Sequence, residues 1–378
     1  MIRKGVLIIL STLFSLLLAE GILRLIYSQE NKLFVWQPNL QHTFHPDSTI
    51  LYGVHGPSTF TINSQGFRGD EFKNDGTQKY LCIGGSTTEC LYLDDKETWP
   101  ALLQDSLSTK AGNKYTIGSI GKSGCTTREN YVQLKYYVPQ LGKVDGVIIM
   151  IGINDLMKRL SRDTLFENSF RFTQAIEDSF VNTIFLKHGR ANEKTWFRRT
   201  ALFKVLQNAL HKANPVKWES VQDDRGEVYQ AWRNNRQHAS AFVDSLPDLS
   251  AALAEYERNL QAIYAEAQRQ QMQLVLINQP AIYKDSLSEY ENGLVWMGGV
   301  GDFQTKAGCR YYSPKALNAA LLLYNQRLKL FCTGKPGIKF IDLATLLPRD
   351  TSVFYDDCHF NENGARKVAG IISEHLVH

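Results

Sequence analysis

Cysteine is scarce in this chain, long apolar runs are rarer still, and neither sign of charge dominates. Six cysteines in 378 residues, with no Cys-x-x-Cys pair among them, exclude a disulfide-built miniature fold and speak against a structural zinc site. A net charge of +4, from 42 Lys+Arg against 38 Asp+Glu, gives no case for a nucleic-acid partner. Only one apolar run is long enough to cross a bilayer, which excludes a multi-span membrane protein. Internal repeats and low-complexity tracts are missing. What remains is 43% hydrophobic and 21% charged, the balance of a globular protein with a sizeable core.

The single long run is N-terminal. Arg3 and Lys4 precede an uncharged stretch from Gly5 to Ala19, and apolar residues continue to Tyr27, broken only by Glu20 and Arg24. A helix over Gly5 to Tyr27 would be about 34 Å long, enough to span the hydrocarbon core. Glu20 and Arg24, four apart, share a helix face and can pair. The basic flank keeps the N-terminus cytoplasmic. Residues 1–27 therefore read as a transmembrane signal anchor, with the rest exported to the periplasmic or extracellular side. The competing reading is a signal peptide cut at the small-x-small triplet Ala19-Glu20-Gly21. With no cysteine before Cys82, a lipoprotein anchor at this junction is excluded.

Residues 28–75 are rich in turn formers and aromatics, with short alternating pieces such as Ser58 to Ile62, and predict loops and short strands. His42, His45 and His55 read here as polar loop histidines rather than metal ligands. From residue 76 the pattern changes. Apolar strands are predicted at Lys79–Ile83, Tyr115–Ile120, Gly146–Ile151, Leu274–Ile277 and Ile338–Ile341. Helices are predicted between and after them, at Thr98–Leu107, Tyr131–Tyr137, Leu253–Gln271, Pro314–Phe331 and from Ala365 onward. This alternation predicts an α/β fold, a parallel sheet covered by helices on both faces, with ligands bound beyond the carboxyl ends of the strands. Residues 160–250 are too long for a crossover and form an insertion in the 76–378 domain. Within it, Arg190 to Lys217 holds seven Lys/Arg and one acid, Glu193, with Trp196, Phe197, Leu202, Phe203, Leu206 and Leu210 at helical spacing. The preferred reading is a solvated amphipathic helix packed on the body. The alternative is a cap or membrane-surface helix.

Four short motifs fall at predicted strand ends. Gly84-Gly85-Ser86-Thr87-Thr88 follows the first strand, where a turn can expose a serine hydroxyl. It is not a phosphate-binding P-loop, because the Walker spacing of Gly and Lys is lacking. Gly121-Lys122-Ser123-Gly124 follows the second strand, and a glycine there lets its backbone N–H approach a ligand. Gly152-Ile153-Asn154-Asp155 ends the third, where an Asn side chain can donate to an oxyanion. Asp356-Asp357-Cys358-His359 lies near the C-terminus. A carboxylate three residues before a histidine can hold its Nδ1–H and leave Nε2 free to take a serine proton. Taken singly, each motif is equally a turn or a capped helix.

As an ordered set they resemble the SGNH hydrolases of the GDSL esterase/lipase superfamily, with Ser86, Gly124, Asn154 and His359 in the four blocks. Glu97-Thr98-Trp99-Pro100-Ala101-Leu102-Leu103 is similar to the family segment after the nucleophile. The usual Asp before the nucleophile is Gly85 here. That variant resembles a membrane-anchored bacterial branch, as does Asn63-Ser64-Gln65-Gly66-Phe67-Arg68-Gly69. The resemblance implies a three-layer α/β/α flavodoxin-like fold and a catalytic triad of Ser86, Asp356 and His359. It implies an oxyanion hole from the N–H groups of Ser86 and Gly124 with the Asn154 side chain, and neither metal nor cofactor. It implies cleavage of an acyl ester, expected here to be O-acetyl on a cell-envelope glycan, with an acylated lipid as another substrate class. The rival readings are an O-acyltransferase using the same acyl-enzyme and a non-catalytic envelope assembly or binding protein. Tyr283, Tyr290 and Trp296 follow the fourth strand and are candidates for stacking on sugar rings or, equally, for buried packing. In an oxidising compartment Cys125 could bridge Cys358, and Cys309 could bridge Cys332.

Overall fold

The computed structural model describes residues 2–26, 32–111, 114–162, 170–188, 195–213, 215–218 and 223–377. Five parallel strands form the central sheet: β1 (Gln78–Gly84), β2 (Tyr115–Ser119), β3 (Gly146–Ile151), β4 (Gln273–Asn278) and β5 (Ile338–Ile341). Their spatial order is β5-β4-β3-β1-β2, the flavodoxin-like arrangement. Pairing runs in register, with Tyr80 opposite Gly146 and Gly84 opposite Met150 across β1 and β3. All six residues of β3 are buried, as expected of a strand covered on both faces. Right-handed crossovers send the chain one way from β1 to β2 and the other way for every later strand, so the connecting helices divide between the two faces. On one face, helix Trp99–Ala111 packs against the C-terminal helix Glu362–Val377. On the other, Thr127–Tyr136 packs against Ser250–Arg269, which packs against Pro314–Cys332.

Local chemistry sets where these helices begin. The helix predicted from Tyr131 starts four residues earlier, because Thr126 and Glu129 form a reciprocal capping box at its N-terminus. The Ser313 side chain accepts from Ala316 N at 3.2 Å, with Pro314 in the first turn. The sheet differs from the expected purely parallel one at its edge. Arg68–Gly69 pairs antiparallel with β2.

The insertion is built into the body through the N-terminal segment. Leu186–His188 pairs antiparallel with Lys32–Phe34, and Val216–Lys217 runs parallel to Leu40–Phe44. Ala241–Val243 runs parallel to Arg310–Tyr312. Asp224 meets His42 Nε2 at 2.9 Å and His45 Nδ1 at 2.8 Å, so the insertion supplies the carboxylate that the local sequence around those histidines lacks. Parts of the expected insertion, residues 163–169, 189–194, 214 and 219–222, lie outside the described residues.

The N-terminal helix spans Ile2–Ile26. Its stretch Arg3–Leu25 is long and apolar enough to cross a membrane, and none of it is buried in the body.

All six cysteines are free, so neither expected disulfide forms. Cys358 is sealed in the hydrophobic core, while the Cys125 thiol accepts from Gln133 Nε2 at 3.7 Å. Cys309 lies just before the strand that leads into helix Pro314–Cys332, and Cys332 ends that helix. That helix of nineteen residues, about 28 Å long, lies between them in the chain.

Candidate active site

The strand order reverses between β1 and β3, the place where an open α/β sheet leaves a crevice beyond its carboxyl edge. Ser86 and Asn154 lie just past those two strand ends. Ser86 opens the short helix Ser86–Glu89 immediately after β1. Trp99 is fully buried and donates its indole N–H to Thr87 O at 2.9 Å, which anchors the turn after the serine. Arg68 anchors its far end. The Arg68 guanidinium donates to Asp95, to the carbonyls of Glu89 and Cys90 at 3.0 Å each, to Thr59 O at 3.1 Å and to Leu93 O at 2.6 Å. All five of its N–H groups are used. The Asn63–Gly69 motif thus serves the serine turn from beneath.

Ser86, His359 and Asp356 come together as the sequence predicts. His359 Nε2 lies 2.7 Å from Ser86 Oγ, and Nδ1 lies 2.6 Å from Asp356 Oδ2. Asp356 is fully buried and fully engaged. Its Oδ1 accepts from the N–H of Cys358 at 3.0 Å and of His359 at 2.8 Å, and Oδ2 also accepts from Trp296 Nε1 at 2.9 Å. Burial by itself would raise the Asp356 carboxyl, but the charge and hydrogen bond of His359, with the Trp296 indole, hold it below the ordinary carboxylate value. Burial works to lower His359, and the Asp356 charge outweighs it, so the imidazole is more basic than usual. Asp356, Cys358 and His359 place ligand-type atoms within 4.8 Å of one another. Their hydrogen bonds already occupy both carboxylate oxygens and both ring nitrogens, and burial keeps the Cys358 thiol protonated.

The other blocks converge on the same crevice. Asn154 Nδ2 donates to Cys125 O at 2.8 Å, which fixes the amide and leaves its second N–H to donate elsewhere. A Cβ at Gly85 would lie 2.2 Å from Asn154 Nδ2, so glycine before the serine lets the Asn side chain lie against the backbone. Gly121 permits a similar approach of backbone to backbone: a Cβ there would lie 2.3 Å from Glu89 N. Gly124 is exposed with φ +78°, a conformation suited to glycine. Asp155 is not part of the triad. It accepts from Thr127 Oγ1 at 2.6 Å and from Thr127 N at 3.2 Å, tying β3 to the helix that follows the Gly124 block. Burial pushes its carboxyl up to about 7.

Of the two roles open for the aromatics, buried packing holds for Tyr283 and Trp296. Tyr283 and Trp296 are buried, not open to sugar. Tyr283 donates to Asp357 Oδ1 at 2.7 Å, and the Trp296 indole holds Asp356. Only Tyr290 is exposed, beside Tyr52. Two aromatics that the sequence reading missed do flank the histidine. The Tyr355 ring stacks on His359 at 5.6 Å, and Tyr229, from the insertion, meets it edge-on at 5.8 Å.

The sequence matches the GDSL-like lipase/acylhydrolase family over residues 82–367. The chain belongs to that family. It is a carboxylic ester hydrolase. A search of the curated proteins returns no match. Among solved structures it resembles an acetylxylan esterase from Geobacillus stearothermophilus, with 14% identity, TM-score 0.40, and coverage of 80% of this chain and 96% of the other. It also resembles a lipase from a goat rumen metagenome, with 11% identity, TM-score 0.41, and coverage of 79% and 97%. A third is an α/β hydrolase from the metagenome of Lake Arreo, with 14% identity, TM-score 0.39, and coverage of 79% and 95%.

Proposed function

We propose that Ser86, His359 and Asp356 hydrolyse a small acyl ester, O-acetyl on a cell-envelope glycan, through an acyl-enzyme. The observation that carries the reading is the continuous relay from Ser86 Oγ to His359 at 2.7 Å and from His359 to Asp356 at 2.6 Å. Ser86 Oγ attacks the ester carbon as its proton passes to His359 Nε2. The carbonyl electrons move to oxygen, and that oxyanion is received by the N–H groups of Ser86 and Gly124 and by the Asn154 amide. His359 returns the proton to the leaving alcohol, which departs as the acyl–Ser86 ester forms. Water repeats the sequence with His359 as base, releasing the acid and regenerating Ser86. Asp356 holds the imidazole in the tautomer that leaves Nε2 able to accept. The glycan assignment rests on reading Arg3 and Lys4 as the cytoplasmic flank of an anchor, which exports the catalytic unit of residues 76–378 with residues 28–75 and the 160–250 insertion packed on it.

The test has two arms. Folded Ser86→Ala and His359→Ala variants should each lose p-nitrophenyl acetate turnover, and the double variant should be little worse, because the pair acts as one unit. Acetylated envelope glycans should release acetate, read by mass spectrometry. Wild-type activity in folded Ser86→Ala sinks the triad. Acyl transfer to an added glycan in preference to water makes the protein a transferase.

A further inference from the structure

The amphipathic stretch in the insertion does two things at once. Its inner side faces the body: Val205 and Ala209 line a cleft with Leu33, Phe34 and Tyr137. Its outer side does not. Trp196 is 79% exposed, Leu206 57%, Leu210 54% and Phe197 44%, large apolar side chains of the kind that soluble surfaces seldom gather. On helix Ala201–Ala213, Leu202, Leu206 and Leu210 recur every four residues and form one stripe. The turn before it, Trp196–Arg199, adds two aromatics and two arginines. Residues 195–213 carry Arg198, Arg199, Lys204 and Lys212 and no Asp or Glu.

What covers this face is indicated by where the helix is attached. Helix Ala201–Ala213 packs against the apolar N-terminal helix. Glu20 of that N-terminal helix accepts from Ala201 N and from Leu202 N, both at 2.9 Å. It therefore caps the amphipathic helix from outside its own chain segment, satisfying end N–H groups and meeting the positive end of the dipole. Glu20 also receives Arg24 Nε at 2.7 Å. Seventeen residues separate Glu20 from Arg3, about 26 Å along a helix. A hydrocarbon core is about 30 Å thick. The capped end thus lies at the level of the membrane–water boundary, where tryptophan is enriched and arginine meets headgroup phosphates.

We infer that Trp196–Ala213 is an interfacial element that lies on the same lipid bilayer the N-terminal helix spans, with Trp196, Phe197, Leu206 and Leu210 in the acyl–headgroup boundary. The Glu20 cap joins the two helices into one anchor. The inference concerns attachment and stands independently of the triad.

The test uses the full chain reconstituted in phosphatidylcholine–phosphatidylglycerol bilayers whose acyl chains are brominated near the glycerol end. Of the six tryptophans, Trp36, Trp99 and Trp296 are buried and Trp218 and Trp232 half-buried, so Trp196 should supply most of the bromine-quenched emission. Trp196→Phe should reduce the quenched fraction more than twofold. Leu206→Asp/Leu210→Asp should reduce it similarly in protein that keeps its circular dichroism and p-nitrophenyl acetate turnover. Equal quenching in wild type and Trp196→Phe overturns the inference. So does a Trp196 emission insensitive to bromolipid, the result if a protein partner rather than lipid covers this face.

Discussion

Replacing Asp356 by Asn probes the whole relay with one atom changed. Asp356 accepts at four points: Oδ1 takes two backbone N–H groups, and Oδ2 takes His359 Nδ1 and the Trp296 indole. An amide offers one oxygen and one NH2, so in either orientation two donors face an NH2 group. With the NH2 toward Oδ2, His359 must turn its unprotonated nitrogen to it. Nε2 then carries the proton and can no longer accept one from Ser86. By analogy with other triads the loss in kcat is about 10⁴, equivalent to about 5 kcal/mol of barrier. Facing donors inside the core also costs about 1–3 kcal/mol of stability. Asp357 cannot stand in, because the N–H groups of Trp296 and Met297 and the Tyr283 hydroxyl already hold its carboxyl. The pH profile supplies a second readout. In the proposed mechanism neutral His359 is the base, so activity should fall as pH drops through its folded value, which Asp356 keeps above the ordinary imidazole value. Without that charge and hydrogen bond the acid limb of kcat/KM should move to lower pH. The assay is p-nitrophenyl acetate hydrolysis across the acid range with circular dichroism as the folding control. A loss of less than tenfold, or an acid limb that stays in place, refutes the reasoning.

Gly85→Ala sets a methyl group against Asn154 Nδ2 and should displace that amide rather than unfold the turn. We expect kcat to fall about 10²-fold, the scale of a lost oxyanion donor, with an unchanged melting temperature, and a near-normal rate would refute it. Arg68→Lys keeps the charge but cannot reproduce a five-donor planar fork. It should lower unfolding free energy by about 2–4 kcal/mol in urea titration, and wild-type stability would show the carbonyl contacts to be dispensable. Asp155 titrates near 7 in the fold, above its unfolded value. The native state therefore binds the extra proton, and stability falls as pH rises through that window. Asp155→Asn should flatten this slope and be more stable than wild type at pH 8 by about 1 kcal/mol or more, measured by denaturant unfolding at several pH values.

The four blocks were legible because each carries a local constraint. Singly each is a turn or a capped helix, but four in order at strand ends are specific, and five apolar strands with intervening helices leave little freedom in topology. Ser86, Gly124, Asn154, Asp356 and His359 therefore reach one crevice as expected. Helix starts were less legible where a cap decides them, as with Thr126 and Glu129. The cysteine pairings failed because nearness to the pocket in sequence says nothing about side-chain direction: Cys358 turns into the core behind His359. Trp296 and Tyr283 stayed open between stacking and packing for a related reason. An aromatic in a long loop reads as surface until the acidic pair it covers is located. Asp356 and Asp357 are both buried; Asp356 takes most of its donors from its own turn, but the Trp296 donor to it and the donors to Asp357 come from distant segments.

The insertion is the part least readable from sequence and the part that closes the site. Helix Glu227–Gln237 carries Tyr229 against His359, and one turn later the buried Arg233. Its guanidinium donates to Leu294 O at 2.9 Å, Ile50 O at 2.7 Å and Tyr355 O at 2.8 Å. Those carbonyls belong to the loop region after β4, the N-terminal segment and the residue immediately before Asp356. One side chain thus binds three stretches that the sequence presents as separate, each more than 50 residues from it along the chain. Arg236 does the same for Met297 O and Tyr312 O at 2.8 and 3.1 Å. Buried arginines of this kind hold backbone carbonyls that would otherwise be unsatisfied, and they make the geometry of the fourth block depend on the insertion. The serine turn depends in the same way on Arg68 of the N-terminal segment. Under the proposed mechanism the central sheet presents the reacting groups, and residues 28–75 and 160–250 fix how those groups are held.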